Sequence, residues 1–283
     1  MAQLLKGLAA ANALTEALAE RAAALAANNI IPTLAILRVG QRPDDISYET
    51  GAKKRCAKVG IAVKQFLLAE SCTKEELLDT IRQINADPAI HGCLMFRPLP
   101  DRAMEEAACA LLKPEKDVDG MTAGSLAAVF AGNGAGFPPC TAEGCLALLD
   151  HYGIDLRGKR VTVIGRSQVI GKPVSMMLLG RNATVTMCHT GTVNLPEVCR
   201  NAEILVVAAG KAGLADGRFT APGQVVIDVG IHMTEAGGLC GDVVFDEVEP
   251  VAAAITPVPG GVGSVTTAVL ARHVIEAAEK TLQ

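Results

Sequence analysis

The order of elements along this chain predicts an α/β fold of two domains, the second a doubly wound, Rossmann-type sheet. Strand-like and helix-like stretches alternate from residue 32 onward, the pattern of parallel strands joined by crossover helices. The unbroken β-branched run 161–164 suits a strand buried on both faces, and a glycine-containing loop leads from it into a helix with Val174, Met177 and Leu178 on one face. The 283 residues, 50% of them hydrophobic, are most naturally organised around two cores.

The first domain, 1–140, opens with a helix over 11–28, where Leu14, Leu18 and Leu25 recur among strong helix formers. Residues 32–39 read as a strand ended by Gly40. Pro43-Asp-Asp reads as a loop before a helix from about Ser47 to Val59, which Gly60 stops. A strand over 61–68, a helix over 74–87 and a buried strand over 92–96 follow, the last running into Arg97-Pro-Leu-Pro100. Residues 104–112 are helical, 113–120 are polar and turn-rich, and Pro138-Pro-Cys-Thr141 marks the boundary. In the second domain, 141–264, a helix over 142–152 precedes the strand at 161–164, and strands over 183–188, 203–208 and 225–229 come after it. The remaining segment, 265–283, is a helix with no strand beyond it and is expected to pack back on the first domain.

Aromatic residues make up 3% and Trp is absent, so alanine and small aliphatics must build the cores, and little is available to stack bases. A net charge of −4 with no basic run argues against a nucleic-acid partner. The nine cysteines fall singly, with no C-x-x-C, and several lie in apolar segments. Reduced thiols in a cytoplasmic protein, and no metal site, are the expectation. The N-terminus lacks the plan of a signal peptide and no apolar stretch reaches transmembrane length, so no membrane association is expected.

Between the strand at 161–164 and its helix lies Gly165-Arg-Ser-Gln-Val-Ile-Gly171. The loop N–H groups, together with the helix N-terminus, are expected to face an anion such as a pyrophosphate. The loop departs from G-x-G-x-x-G: Ser167 takes the place of the second glycine, and Gly171 comes six residues after the first. The strand at 183–188 ends in His189-Thr-Gly-Thr192, without an Asp or Glu to take a ribose 2′-hydroxyl, while Arg166 sits where a 2′-phosphate would lie. Both features favour NADP over NAD. His189 has no second ligand at metal spacing and is read as a hydrogen-bonded strand end.

Val163-Ile-Gly-Arg-Ser…Gly-Lys-Pro173, Lys116-Asp-Val-Asp-Gly120, Pro139-Cys-Thr141, Asp228-Val-Gly-Ile231, Gly241-Asp-Val-Val244 and Thr256-Pro-Val-Pro-Gly-Gly-Val-Gly263 stand in an order that resembles the methylenetetrahydrofolate dehydrogenase/cyclohydrolase family over essentially the whole chain. The resemblance implies a homodimer of two-domain protomers, with folate held largely by the first domain and NADP by the second. It implies oxidation of 5,10-methylenetetrahydrofolate to the methenyl form, then hydrolysis to 10-formyltetrahydrofolate, in one-carbon metabolism. By position it places Gly165, Arg166 and Ser167 at the cofactor phosphates, with Gly171 in the same loop, Thr190 near the ribose phosphate and Ile231 near the nicotinamide. Tyr48 and Asp119 match pterin-cleft residues that serve catalysis, and Pro259, Gly260, Gly261 and Val262 match a loop lining that cleft.

The first-domain signature of the family is a Ser, a Tyr three residues on, and a Lys four after that. Tyr48 keeps its place, but the serine position is Asp45, the lysine position is Ala52, the glutamine of the following strand end is Phe96, and the proline after the glycine loop is Ser264. A desolvated lysine can exchange protons near neutral pH and a glutamine can tune it; alanine does neither. On a helix Lys53 and Lys54 point about 100° and 200° away from residue 52. The sequence therefore predicts a dehydrogenase whose cyclohydrolase step has lost its proton-handling group. Two other readings stand beside it: a nucleotide-binding homologue without folate chemistry, serving as a regulatory or partner subunit, and an oxidoreductase for another substrate.

Overall fold

A computed structural model describes residues 1–133, 136–235 and 237–282. The chain divides into two compact units, one of residues 12–140 and 267–283, the other of residues 1–11 and 141–266.

In the unit of residues 12–140 and 267–283, a parallel sheet of order β3-β2-β4 is built from β2 (Thr33–Val39), β3 (Ala62–Leu68) and β4 (Gly92–Met95). The central strand β2 is buried at every residue after Thr33, whereas the edge strand β3 alternates between exposed and half-buried positions. The crossover helices are α2 (Pro43–Val59) and α3 (Lys74–Ala86), followed by α4 (Arg102–Leu111) and α5 (Ala123–Ala131). Helix α2 starts at Pro43, not at Ser47. Proline tolerates a first-turn position, and Asp44 and Asp45 complement the positive end of the helix, so the residues read as a loop are its first turn. Helix α3 opens on a capping box between Thr73 and Glu76. Helix α5, capped by Thr122, lies where the alanine-rich sequence shows no clear period.

The long N-terminal helix α1 (Gly7–Ala27) buries Leu18 and Leu25, and from residue 12 on it belongs to this unit. The tail helix α10 (Thr266–Glu279) returns here as well: Arg21 donates to Glu279 at 2.8 and 2.6 Å, and Phe137 stacks on His273 at 4.9 Å between ring centroids. Gln283, the last residue of the segment read as that helix, lies outside the described residues.

The other unit holds a six-stranded sheet of order β1-β11-β8-β7-β5-β6, parallel at every pairing. Its strands are β1 (Gln3–Leu4), β5 (Arg160–Ile164), β6 (Thr184–Cys188), β7 (Ile204–Val207), β8 (Val225–Asp228) and β11 (Ala254–Ile255). Helices α6 (Cys140–His151), α7 (Gly171–Gly180), α8 (Leu195–Arg200) and α9 (Phe245–Val248) run along it, and β9 (His232–Met233) pairs with β10 (Leu239–Cys240) in a hairpin. Because β1 pairs with β11, residues 1–11 sit with 141–266 and not with the rest of 1–140. A strand of two residues has no periodicity to betray it. From β5 the strand order runs outward in both directions, to β6 on one side and β7 on the other. That reversal is the point at which open α/β sheets bind ligands.

All nine cysteines are free thiols. Among the described residues no helix is long and apolar enough to cross a membrane, and no cluster of His, Cys, Asp or Glu could hold a metal ion.

One buried ion pair joins the sheet to α2. Arg38 on β2 donates from Nε to Glu49 Oε2 at 2.9 Å and from Nη1 to the Gly40 carbonyl, and Gln65 Nε2 on β3 donates to Glu49 Oε1. The two side chains are only 10% and 7% exposed. Removing one partner of such a pair strands the other charge, whereas replacing both with apolar side chains is close to neutral. Glu49→Leu is therefore expected to cost about 3 kcal/mol, and Arg38→Met with Glu49→Leu to recover most of that loss, read as urea midpoints by far-ultraviolet circular dichroism.

Candidate active site

The loop 165–171 is shaped by two close approaches. Gly165 has φ +125°, and a Cβ there would fall 2.1 Å from the Ala208 carbonyl oxygen. A Cβ on Gly171 would fall 2.3 Å from the Gly165 oxygen. Both positions therefore need glycine, the first for turn and approach, the second for packing of α7 against the strand end.

Ser167 turns inward. Its Oγ accepts from the N–H groups of Ile170 at 3.1 Å and Gly171 at 3.4 Å, and its carbonyl accepts from Lys172 at 3.0 Å. Pro173 has no N–H, and Val174 donates to the Ile170 carbonyl at 2.9 Å. The first turn of α7 consequently has no N–H to spare, contrary to the expectation that the helix N-terminus faces the anion. The N–H groups of Arg166, Ser167, Gln168 and Val169 have no hydrogen-bond partner among the described residues, so the loop itself offers the anion site.

Beside this loop lies a pocket of about 280 Å³ lined by Gly165, Arg166, His189, Thr190, Ala209 and Lys211, among others. No carboxylate lines it, while Arg166 and Lys211 bring two cations. Such a lining fits a phosphate-bearing nucleotide better than a bare ribose diol. The His189 ring accepts at Nδ1 from Gly191 N–H at 3.0 Å, the hydrogen-bonded role read for it, and it walls the pocket as well. Lys211 was missed in the sequence because a lone lysine after a strand carries no motif.

Ile231 does not line that pocket. It lines a second cavity of about 160 Å³ together with Pro259, Gly260, Gly261, Val262 and Ser264, and is 58% exposed. The residues expected near the nicotinamide and those expected at the folate are thus neighbours within one unit.

In the unit of residues 12–140 and 267–283, Tyr48 on α2 meets Phe96, just past β4, edge to face at 6.0 Å between centroids. Ala52, one turn on, is fully buried. Lys53 cannot stand in for an amine at 52: its Nζ is 3.2 Å from Gln65 Oε1 and 4.0 Å from Glu49 Oε1, toward β3. Asp45, one turn before Tyr48, is buried. Desolvation raises its pKa, with Arg42 and Arg38 working in the opposite direction.

Asp119 follows the turn that Asp117 organises by accepting from Met121 N–H at 3.1 Å and Thr122 N–H at 2.7 Å. Burial pushes the Asp119 carboxyl up to about 6. A hydrogen bond from the Cys140 thiol opposes this, Asp117 adds to it, and the charges of Arg97 and His273 oppose it. Behind it, His273 Nδ1 donates to the Val118 carbonyl at 2.7 Å, and Cys140 Sγ lies 3.2 Å from the same oxygen, so its one proton is shared between that carbonyl and Asp119. Arg97 went unsingled in the sequence. It follows Phe96, pairs with Glu105 at 3.7 Å and acts on the Asp119 carboxyl by its charge.

Residues 5–119 match the model of the tetrahydrofolate dehydrogenase/cyclohydrolase catalytic domain, and residues 139–282 that of the NAD(P)-binding domain of the same enzymes. The bifunctional protein FolD of Carboxydothermus hydrogenoformans is 50% identical over 281 residues, covering 99% of this chain and 98% of that protein. Among solved structures, the bifunctional enzyme FolD of Campylobacter jejuni aligns with a TM-score of 0.96 at 37% identity, covering 99% of this chain and 100% of that one. The N5,N10-methylenetetrahydrofolate dehydrogenase-cyclohydrolase of Trypanosoma brucei, solved with NADP cofactor and inhibitor, aligns with a TM-score of 0.92 at 33% identity, covering 100% of this chain and 99% of that one.

Proposed function

The chain belongs to the tetrahydrofolate dehydrogenase/cyclohydrolase family, and from that premise we propose that it is an NADP-dependent 5,10-methylenetetrahydrofolate dehydrogenase with little or no cyclohydrolase activity. The observation that carries the reading is a contrast. The glycine-built loop and its cationic pocket are whole, whereas position 52 holds a fully buried alanine and the amine of the adjacent Lys53 is turned toward Gln65 and Glu49.

NADP, when bound, supplies the hydride acceptor. The chain's part is to place the two reactants. Gly165 and Gly171 let the loop fold close, its N–H groups from Arg166 to Val169 take phosphate oxygens, and Arg166 pairs with the 2′-phosphate. Tyr48 and Phe96 form an apolar wall for the folate ring, and the Asp119 carboxylate accepts from the ring's N–H groups. Holding the donor carbon in place is enough for hydride transfer, which makes no demand for a titrating side chain. Hydrolysis of the methenyl product requires a proton to leave water, and the amine that could take it is absent. We propose also that two protomers pair as a homodimer. In support, β3 is an edge strand with Leu67 53% exposed on it.

Purified protein given methylenetetrahydrofolate and NADP is expected to accumulate the methenyl product, followed by its absorbance. Prompt onward conversion above the buffer rate would show that the cyclohydrolase survives. Calorimetry that finds NADP binding without folate binding would favour the partner-subunit reading instead.

Arg166→Ala is expected to weaken NADP by about 1.5–3 kcal/mol and leave NAD nearly unchanged, as for one charge-assisted hydrogen bond to the 2′-phosphate. Equal loss for both cofactors would assign Arg166 to the pyrophosphate or the fold.

Asp119 supplies a pH signature. Its carboxyl, pushed up to about 6, accepts ring N–H groups only when ionised, so folate capture is complete above that pH and is lost as pH falls through it. A plot of kcat/KM for the folate is expected to drop about tenfold per pH unit below 6, and Asp119→Asn to abolish that limb.

A further inference from the structure

Asp242, in the segment after β10, has no solvent exposure. Its Oδ2 accepts from the N–H groups of Ala209 at 2.6 Å and Gly210 at 2.9 Å. Its Oδ1 accepts from the Lys211 N–H at 2.9 Å and from His232 Nε2 at 2.6 Å. Three successive backbone N–H groups converging on one carboxylate form an anion nest, here filled from within the chain. The carboxylate is pinned in turn, because the Asp242 N–H donates to Asp228 Oδ1 at 3.0 Å and the Val243 N–H to Asp228 Oδ2 at 3.0 Å.

Ala209 and Lys211, the two ends of the segment this nest holds, line the pocket beside the glycine loop. Of the four donors to Asp242 among the described residues, three are main chain and one is a side chain, that of His232 on β9. His232 follows Ile231, which lines the neighbouring cavity. One imidazole therefore ties the hairpin to the pocket wall. Neither carboxylate oxygen has a donor to spare: Oδ2 is shared by two backbone groups, and without His232 the Oδ1 atom keeps only Lys211. A buried carboxylate short of a donor either turns or draws in water, and both loosen the turn it organises.

We propose that His232 and Asp242 are positioning residues for the dinucleotide: Asp242 sets the Ala209–Lys211 wall of the pocket, and His232 fixes that carboxylate in place. The proposal rests on the cofactor reading above and goes beyond it, since neither side chain lines the pocket it shapes.

The test is titration of the full chain with NADP, by calorimetry, for the wild type, His232→Leu and His232→Gln, together with thermal midpoints and steady-state KM for methylenetetrahydrofolate. His232→Leu removes the donor, whereas the glutamine amide can still give a proton to Oδ1. The leucine variant is expected to raise the Kd for NADP about tenfold, the scale of one hydrogen bond to a charged group, with folate KM within about twofold of wild type. The glutamine variant is expected to stay within about threefold of wild type in Kd. An unchanged Kd in the leucine variant overturns the proposal. So does equal weakening in both variants, which would make ring packing the cause, or a folate KM that rises in step with the Kd, which would mean a fold-wide effect. Failure of the wild type to bind NADP would overturn the cofactor reading and this inference with it, whereas wild-type binding with unaltered variants overturns the inference alone.

Discussion

No side chain fits where β5 gives way to α7. A Cβ on Gly165 would sit on the Ala208 carbonyl and one on Gly171 on the Gly165 carbonyl, so strand end, loop and helix close on one another through backbone alone. The rest of the nucleotide end depends on that closeness. With the loop drawn in against the chain leaving β7, Ser167 reaches the first turn of α7 and caps it, and the four N–H groups from Arg166 to Val169 are left facing outward. A glycine at 167 would leave that turn to the ligand. The serine trades helix N–H groups for loop N–H groups, and the positive charge of the site then has to come from side chains, Arg166 and Lys211. The nest at Ala209 to Lys211 would compete for the same anion were it not already occupied by Asp242.

In the other unit, α2 sorts its charges by face. Asp45, Tyr48 and Ala52 lie at i, i+3 and i+7, with Tyr48 against Phe96, whereas Glu49 and Lys53 lie about 100° further round and engage Arg38 and Gln65. On that side Arg38 and Glu49 are buried against each other, while Lys53 reaches Glu49 and Gln65 from the exposed rim. A lysine at 53 therefore supports the sheet contact and is lost to chemistry at 52, however close the two stand in sequence.

Legibility in the sequence followed how local the cause was. The strand at β5 and its loop could be read because β-branched burial and glycine spacing are local, and the reversal of strand order at that point follows from the alternation of elements. The two-residue strand β1 could not, since its place is set by pairing with Ala254 and Ile255 at the far end of the chain. Tyr48 and Phe96 were legible as separate motif positions, and their edge-to-face contact only in space. The inward turn of Ser167 could not be read, because a hydroxyl that accepts from its own helix looks, in sequence, like one that faces outward. Gly241-Asp242-Val was visible as a motif without a role. Its partners, at 209–211 and 232, are brought to it by folding alone.

The two reactions of the family differ in what they ask of a side chain, and on the proposed reading the residues around position 52 answer only one of them. Hydride transfer asks for geometry. Hydrolysis asks for a group that is both near the reacting carbon and able to exchange a proton near neutral pH. Arg97 is near Asp119 but is paired with Glu105. Tyr48 gives its ring to Phe96. Asp119 is pushed up to about 6, yet on the proposed reading the ionised form that could take a proton from water is also the form that holds the folate ring. Using it as the base would release the substrate it anchors, so on the proposed reading the loss of one amine at position 52 separates the two chemistries without disturbing the first.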